Sequence, residues 1–173
     1  MGNYLVPADI DIGLQHYPIN KIVQMIKCGD LILDKTFRKT RTDEWNQETK
    51  SSLIESLMIH VPIGNFYFEM TDDGKNIVID GWGRLDALNR FMGLDKDSPE
   101  RFRLSKLKYM EEFEGCLWEE LSAHIRRRIS ERYVDIYILR SWVPEEVKND
   151  IYNIVHRYEK ALQLVGEEIR EGN

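Results

Sequence analysis

Residues 77–88, Ile-Val-Ile-Asp-Gly-Trp-Gly-Arg-Leu-Asp-Ala-Leu, constrain this chain more than any other stretch. Ile77, Val78 and Ile79 form an unbroken apolar run that reads as a buried strand, and Asp80 with Gly81 turns the chain. Leu85, Leu88 and Met92 then share one face of a helix that Gly93 stops. A buried strand feeding directly into a helix puts a sheet and a helix packed beside it into the same fold. The corner also gathers an acid, two glycines and an arginine. Backbone N–H groups at a helix start, joined by a guanidinium, suit a phosphate group. The same residues equally make a plain turn in which Asp80 caps the helix.

The remaining segments fill in that arrangement without a repeat or a linker, so residues 1–173 read as one domain. Its core is expected over about 12–143, with a C-terminal helical segment over 144–170. A first helix from Pro18 to Gly29 buries Ile19, Ile22, Val23 and Ile26, and Leu31 to Leu33 is a short strand. A polar, basic stretch from Lys35 to Asp43 precedes Trp45, and a helix follows from Asn46 to Ile59. Asn65–Met70 and Lys75–Asp80 flank a turn and predict a β-hairpin. Residues 101–117 read as irregular with one or two short strands. A helix from Trp118 to Arg132 then carries Leu121, Ile125 and Ile129, and an alternating strand spans Tyr133–Leu139. After Pro144, the residues Ile151, Val155, Tyr158, Leu162, Val165 and Ile169 make a heptad-like seam. One long helix is expected there, its outer half calling for a partner surface such as a second copy of the chain.

Composition narrows the function classes. At 173 residues and 42% hydrophobic, the chain can bury a sizeable core, and a formal net charge of −6 argues against nucleic-acid binding by bulk electrostatics. It leaves room for a local basic groove. Cys28 and Cys116 and the four histidines lack metal-ligand spacing, so neither zinc nor haem is expected, and a reducing cytoplasm is. No apolar run approaches a membrane span.

Several segments, in order and spacing, resemble the N-terminal domain of GmrSD-type restriction endonucleases, within the ParB/sulfiredoxin-like superfamily. They are Leu31-Ile32-Leu33-Asp34-Lys35-Thr36-Phe37, Trp45, Lys50 to Leu57 with Pro62-Ile63, and Val78-Ile79-Asp80-Gly81 with Arg84-Leu85, Ala87-Leu88 and Phe91. Asp150-Ile151-Tyr152 and Glu168-Ile169-Arg170 complete the set. The resemblance covers about residues 12–170. It implies an α/β domain, a small mixed sheet flanked by helices with a long C-terminal helical segment, that binds and can hydrolyse nucleoside triphosphates with Mg²⁺. Such domains serve DNA restriction and anti-phage defence, often with an HNH-type nuclease on the same or another chain. No such nuclease motif occurs in this chain.

The resemblance makes Asp80 and Arg84 the catalytic candidates, with Gly81, Trp82, Gly83, Arg84, Arg38 and Lys39 around the nucleotide and Asp80 holding Mg²⁺ or water. The departures are as informative. Trp82 and Gly83 replace both glutamines of the family's Asp-Gly-Gln-Gln-Arg, and its Phe-Gln-Arg reads Phe37-Arg38-Lys39. Its Phe-x-Arg-x-Asn reads Tyr152-Asn153-Ile154-Val155-His156. An apolar frame kept while three polar motifs erode is the pattern of an intact fold with altered or lost catalysis. Three readings follow: a divergent nucleotide-phosphate-binding regulatory domain, a non-catalytic interaction or dimerisation module, and a DNA-binding accessory protein. The last would use Arg126, Arg127, Arg128 and Arg132, the one dense basic cluster, although on a helix these spread round the circumference.

Overall fold

A computed structural model describes residues 11–33, 45–94 and 100–155 of the chain. In chain order it holds β1 (Ile12–Pro18), α1 (Ile19–Cys28), β2 (Leu31–Ile32), α2 (Gln47–Met58), β3 (Phe66–Met70), β4 (Asn76–Asp80), α3 (Trp82–Leu88), α4 (Ala123–Ser130) and β5 (Tyr133–Leu139). A further helix, α5, occupies 145–155. The strands form one mixed sheet in the order β1-β5-β3-β4-β2. β1/β5 and β3/β4 are antiparallel, whereas β5/β3 and β4/β2 are parallel. The expected mixed α/β class is the one observed.

One face of the sheet carries the main core. Phe66, Phe68, Val78, Val134, Ile136 and Ile138 pack there against Ile19 and Ile22 of α1, Leu53, Ile54 and Leu57 of α2, Leu85 and Leu88 of α3, and Ile125 and Ile129 of α4. Period-2 burial on the strands meets period-3.6 burial on the helices, which is why the sequence pattern locates both. The opposite face is thinner. Ile79 and Leu139 are covered there by Val143 and Val147, with Tyr67, Ile151 and Tyr152 partly buried beside them. Among the described residues no helix is long and apolar enough to cross a membrane.

Local signals explain the boundaries. Pro18 caps α1 rather than starting it, and Gly29 ends it at φ 79° while its N–H bonds back to Ile26 O. The Asn46 side chain caps α2 by accepting from the Thr49 amide at 2.8 Å. The hairpin β3–β4 and the strand β5 fall where the sequence places them.

Three expectations are corrected, and one strand is added. β1 goes unannounced because its residues are mostly exposed and carry little apolar alternation. The helix expected over 118–132 is confined to α4, since Ser122 accepts from the Ile125 amide and starts the helix there, after a 3₁₀ turn at Trp118–Glu120. The helix after the corner passes at Asn89–Gly93 into a π-helical turn. No strand occurs over residues 101–117. That segment hangs from α2 instead: Gln47 Nε2 donates to Arg103 O, Ser51 Oγ accepts from the Ser105 amide, and Glu55 Oε1 accepts from the amides of Lys108, Tyr109 and Met110. Side chains satisfy these backbone groups, while Leu104 alone makes a short backbone pairing, donating to Cys116 O and accepting from the Gly115 amide.

Candidate functional site

The strand-to-helix corner is built as a closed joint. Gly81 sits at φ 98°, a left-handed conformation that only glycine adopts without strain, and a Cβ there would meet the Phe66 ring. A Cβ on Gly83 would lie 2.9 Å from Trp45 Cε2. Both glycines thus serve close packing. Asp80 ends β4, and Arg84 lies one helical turn on; Arg84 Nη2 donates to Asp80 Oδ2 at 2.9 Å. Their side chains are 11% exposed for Arg84 and 6% for Asp80. Arg84 Nη1 donates to Ile63 O at 2.7 Å, and its guanidinium carbon lies 4.6 Å from the centroid of the Phe66 ring. Gly64 makes room for this, since a Cβ there would be 2.7 Å from Arg84 Nη1.

This geometry places the candidate residues as follows. Asp80 and Arg84 are brought together, but with each other. Trp82 is partly buried and packs against the main core. Asp86, the other acid of the segment, is turned to Arg90 at 2.8 Å and Lys50 at 3.6 Å. A Mg²⁺ ion on Asp80 would take from Arg84 its counter-charge in a nearly solvent-free pair, so these side chains as arranged do not fit a metal site. Among the described residues no group of three or more His, Cys, Asp or Glu side chains could hold a metal ion. Arg38, Lys39, His156 and Glu168 lie outside the described residues, as do Tyr158, Leu162, Val165 and Ile169 of the C-terminal seam. The described start of that seam, Ile151, packs onto the chain's own sheet.

A second site emerges around the diffuse basic cluster of α4. His60, His124, Arg127, Arg128, Glu131, Arg132 and Tyr133 line an open groove of about 900 Å³ between the end of α2 and the α4–β5 junction. Arg126 does not line it. His124, Arg128 and Arg132 are spaced by four residues, so α4 and its extension bring them to one side. Had the histidine been counted with the arginines, the stripe would have been visible in the sequence.

His60 had no sequence signal and is the residue most specifically placed. It follows α2 at φ 64°, and its N–H bonds to Leu57 O while the Val61 N–H bonds to Ser56 O. That is the Schellman pattern, with histidine where glycine is the low-strain choice. Arg132 Nη1 lies 2.9 Å from His60 Nδ1, and Arg132 Nη2 donates to His60 O at 3.3 Å. A guanidinium can only donate, so Nδ1 accepts and the imidazole is neutral with its proton on Nε2. Partial burial pushes the His60 pKa below the ordinary value of 6.5, and the charges of Arg128 and Arg132 push it the same way. Arg127 Nε is spent on Glu131 at 2.9 Å, and Arg128 Nε is buried without a hydrogen-bond partner among the described residues.

No family model matches the chain, and no curated protein or solved structure matches it. The likeness to the restriction-enzyme domain therefore stands on the residues quoted for it.

Proposed function

We propose that this chain is a non-catalytic binding module, related to the nucleotide-binding domain of DNA-restriction systems, whose former phosphate corner has become a structural joint. One observation carries the reading: the Arg84 guanidinium is divided between the Asp80 carboxylate, the Ile63 carbonyl and the Phe66 ring, and is almost out of solvent. An arginine that grips phosphate needs its fork turned toward the ligand. The loss of both amide side chains beside it, at Trp82 and Gly83, points the same way. In such a system the module would bind and position partners, a nuclease chain among them.

The competing reading keeps a nucleotide at this corner, with Arg38 and Lys39 closing over it. Calorimetric titration of ATP and GTP with Mg²⁺ into the wild type and Arg84→Lys separates the two. Absence of binding in both supports the joint. Saturable binding to the wild type that is lost in a folded Arg84→Lys variant would restore the nucleotide reading, and steady phosphate release would make the chain a hydrolase.

A further inference from the structure

We propose that the groove between His60 and Tyr133 binds a single strand of nucleic acid, with Arg128 and Arg132 on its phosphodiester groups and the Tyr133 ring beneath a base. This gives the module a ligand and rests on the binding-module reading only in treating the chain as a binder; it shares no residue with the Asp80–Arg84 corner.

Three features of the groove argue for it. Its charge is locally cationic on an acidic protein: among the described lining residues Arg127, Arg128 and Arg132 face one carboxylate, Glu131, which Arg127 already neutralises. Local cationic grooves, not net charge, track a phosphate backbone. Next, Tyr133 is 65% exposed at the start of β5, directly after Arg132. An exposed aromatic ring beside guanidinium groups is a stacking platform for an unpaired base, whose face a duplex does not offer. The groove also continues past Arg132 and Tyr133 into a smaller cleft of about 130 Å³ lined by Pro62, Gly64, Asn65 and Asp135. A strand leaving the arginines has a path there.

His60 adds a proton-linked element to the same site. Neutral His60 holds the Arg132 guanidinium by two contacts. A proton on Nδ1 turns that acceptor into a donor, breaks the ring contact and adds a positive charge, so Arg132 keeps only its longer bond to the His60 carbonyl and turns Nη1 toward an incoming phosphate. The groups facing the imidazole are Arg128 and Arg132, with His124, Arg127, Glu131 and Tyr133 along the groove. The two nearest cations disfavour the protonated ring when the groove is empty, and a phosphate placed between them reverses this. Binding is therefore coupled to proton uptake at pH values above the point at which His60 titrates in the empty groove.

The test is fluorescence anisotropy with a labelled oligothymidylate of about twelve nucleotides, at several salt concentrations and at about pH 8 and about pH 6. The expected result is binding that weakens linearly in log–log with salt, with a slope of about −0.7 per phosphate held. It should tighten at the lower pH and weaken at least about tenfold in Arg128→Gln/Arg132→Gln. Tyr133→Ala, at an exposed position, should weaken it about tenfold and supplies a second reading if the double variant fails to fold. His60→Asn, which tolerates the left-handed backbone, should flatten the pH dependence. The proposal is overturned by absence of oligonucleotide binding, or by binding indifferent to both the arginine and the tyrosine variants. Equal affinity for a duplex of the same length, or displacement by inorganic pyrophosphate at oligonucleotide concentrations, would also overturn it. The nucleotide titration reads the Asp80–Arg84 corner separately, so failure at one site is distinguishable from failure at the other.

Discussion

Asp80 Oδ2 and Arg84 Nη2 stand 2.9 Å apart across one helical turn, both almost out of solvent, and so fix the angle at which α3 leaves β4. Because Arg84 also satisfies the Ile63 carbonyl, removing it takes the guanidinium from a nearly buried carboxylate and a backbone oxygen together. Breaking a buried pair on one side costs about 3–5 kcal/mol. Arg84→Ala is therefore expected to lower unfolding free energy by about 3 kcal/mol in urea, and Arg84→Lys by less, since the ammonium keeps the charge but not the fork. A change within about 0.5 kcal/mol for Arg84→Ala would mean that the guanidinium is free for a ligand.

Glu55 is the counterpart of this joint on α2. Its Oε1 gathers three consecutive amides, at 2.8, 2.6 and 3.0 Å from Lys108, Tyr109 and Met110. Glu55→Ala leaves those donors unpaired at a cost of about 2–4 kcal/mol, whereas Glu55→Gln still offers a carbonyl oxygen and should recover about half. Hydrogen exchange checks the mechanism: the amides of residues 108–110 should lose protection in Glu55→Ala ahead of those of β3 and β4.

The two glycines of the corner should respond differently to alanine. At Gly81 a methyl group meets the Phe66 ring and the backbone lies at φ 98°, so Gly81→Ala suffers both a clash and torsional strain. At Gly83 the backbone is helical, so a methyl group meets the Trp45 indole at 2.9 Å without added torsional strain. Gly81→Ala should destabilise by about 2–4 kcal/mol and Gly83→Ala by about 1–2 kcal/mol, since only the first adds torsional strain and alanine's helix propensity offsets part of the clash at the second. Equal losses would show that Trp45 is as fixed as Phe66.

Much of this fold was legible because apolar spacing and caps agree. Ile19, Ile22 and Val23 announce α1, the alternation from Val134 to Ile138 announces β5, and Thr71 to Gly74 announces the hairpin turn. β1 was not legible, since Gln15 and His16 carry no buried pattern and the strand exists through its ladder to β5. Residues 101–117 were not legible because four of their amides, those of Ser105 and Lys108 to Met110, bond to the side chains of Ser51 and Glu55 more than fifty residues earlier on α2. At the corner, the residue types of a phosphate site were visible, but the partners that engage them were not. Ile63 and Phe66 reach Arg84 only through the fold. The groove was hidden for the same reason: His60 is far in sequence from Arg128 and Arg132, and nothing local marks it.

His60 illustrates a residue held against its backbone preference. Glycine at the position after the helix cap avoids the left-handed strain, so His60→Gly is expected to raise Tm by about 2–4 °C. The same change deletes the contact to Arg132 and should abolish the pH dependence of oligonucleotide binding. A variant that melts lower than the wild type would show that the His60–Arg132 contact outweighs the strain.

Lys148 on α5 is 2% exposed and donates to Glu69 on β3 and to Glu145 one turn earlier, tying α5 to the thinner face of the sheet. Lys148→Met leaves the Glu69 carboxylate, 12% exposed, without its cation, and should cost about 3 kcal/mol at neutral pH. Burial alone would pull the lysine pKa down, but the hydrogen bonds to Glu145 and Glu69 outweigh it and hold the ammonium above the ordinary 10.5. The folded chain thus keeps this proton at pH values where the unfolded chain has released it. The stabilisation is complete below 10.5 and is lost as pH rises through the folded-state value. Urea unfolding of the wild type and Lys148→Met across the alkaline range should show a gap that is constant near neutrality and closes only above 10.5. A gap that closes already between neutrality and that value would mean that the lysine is held there as the neutral amine.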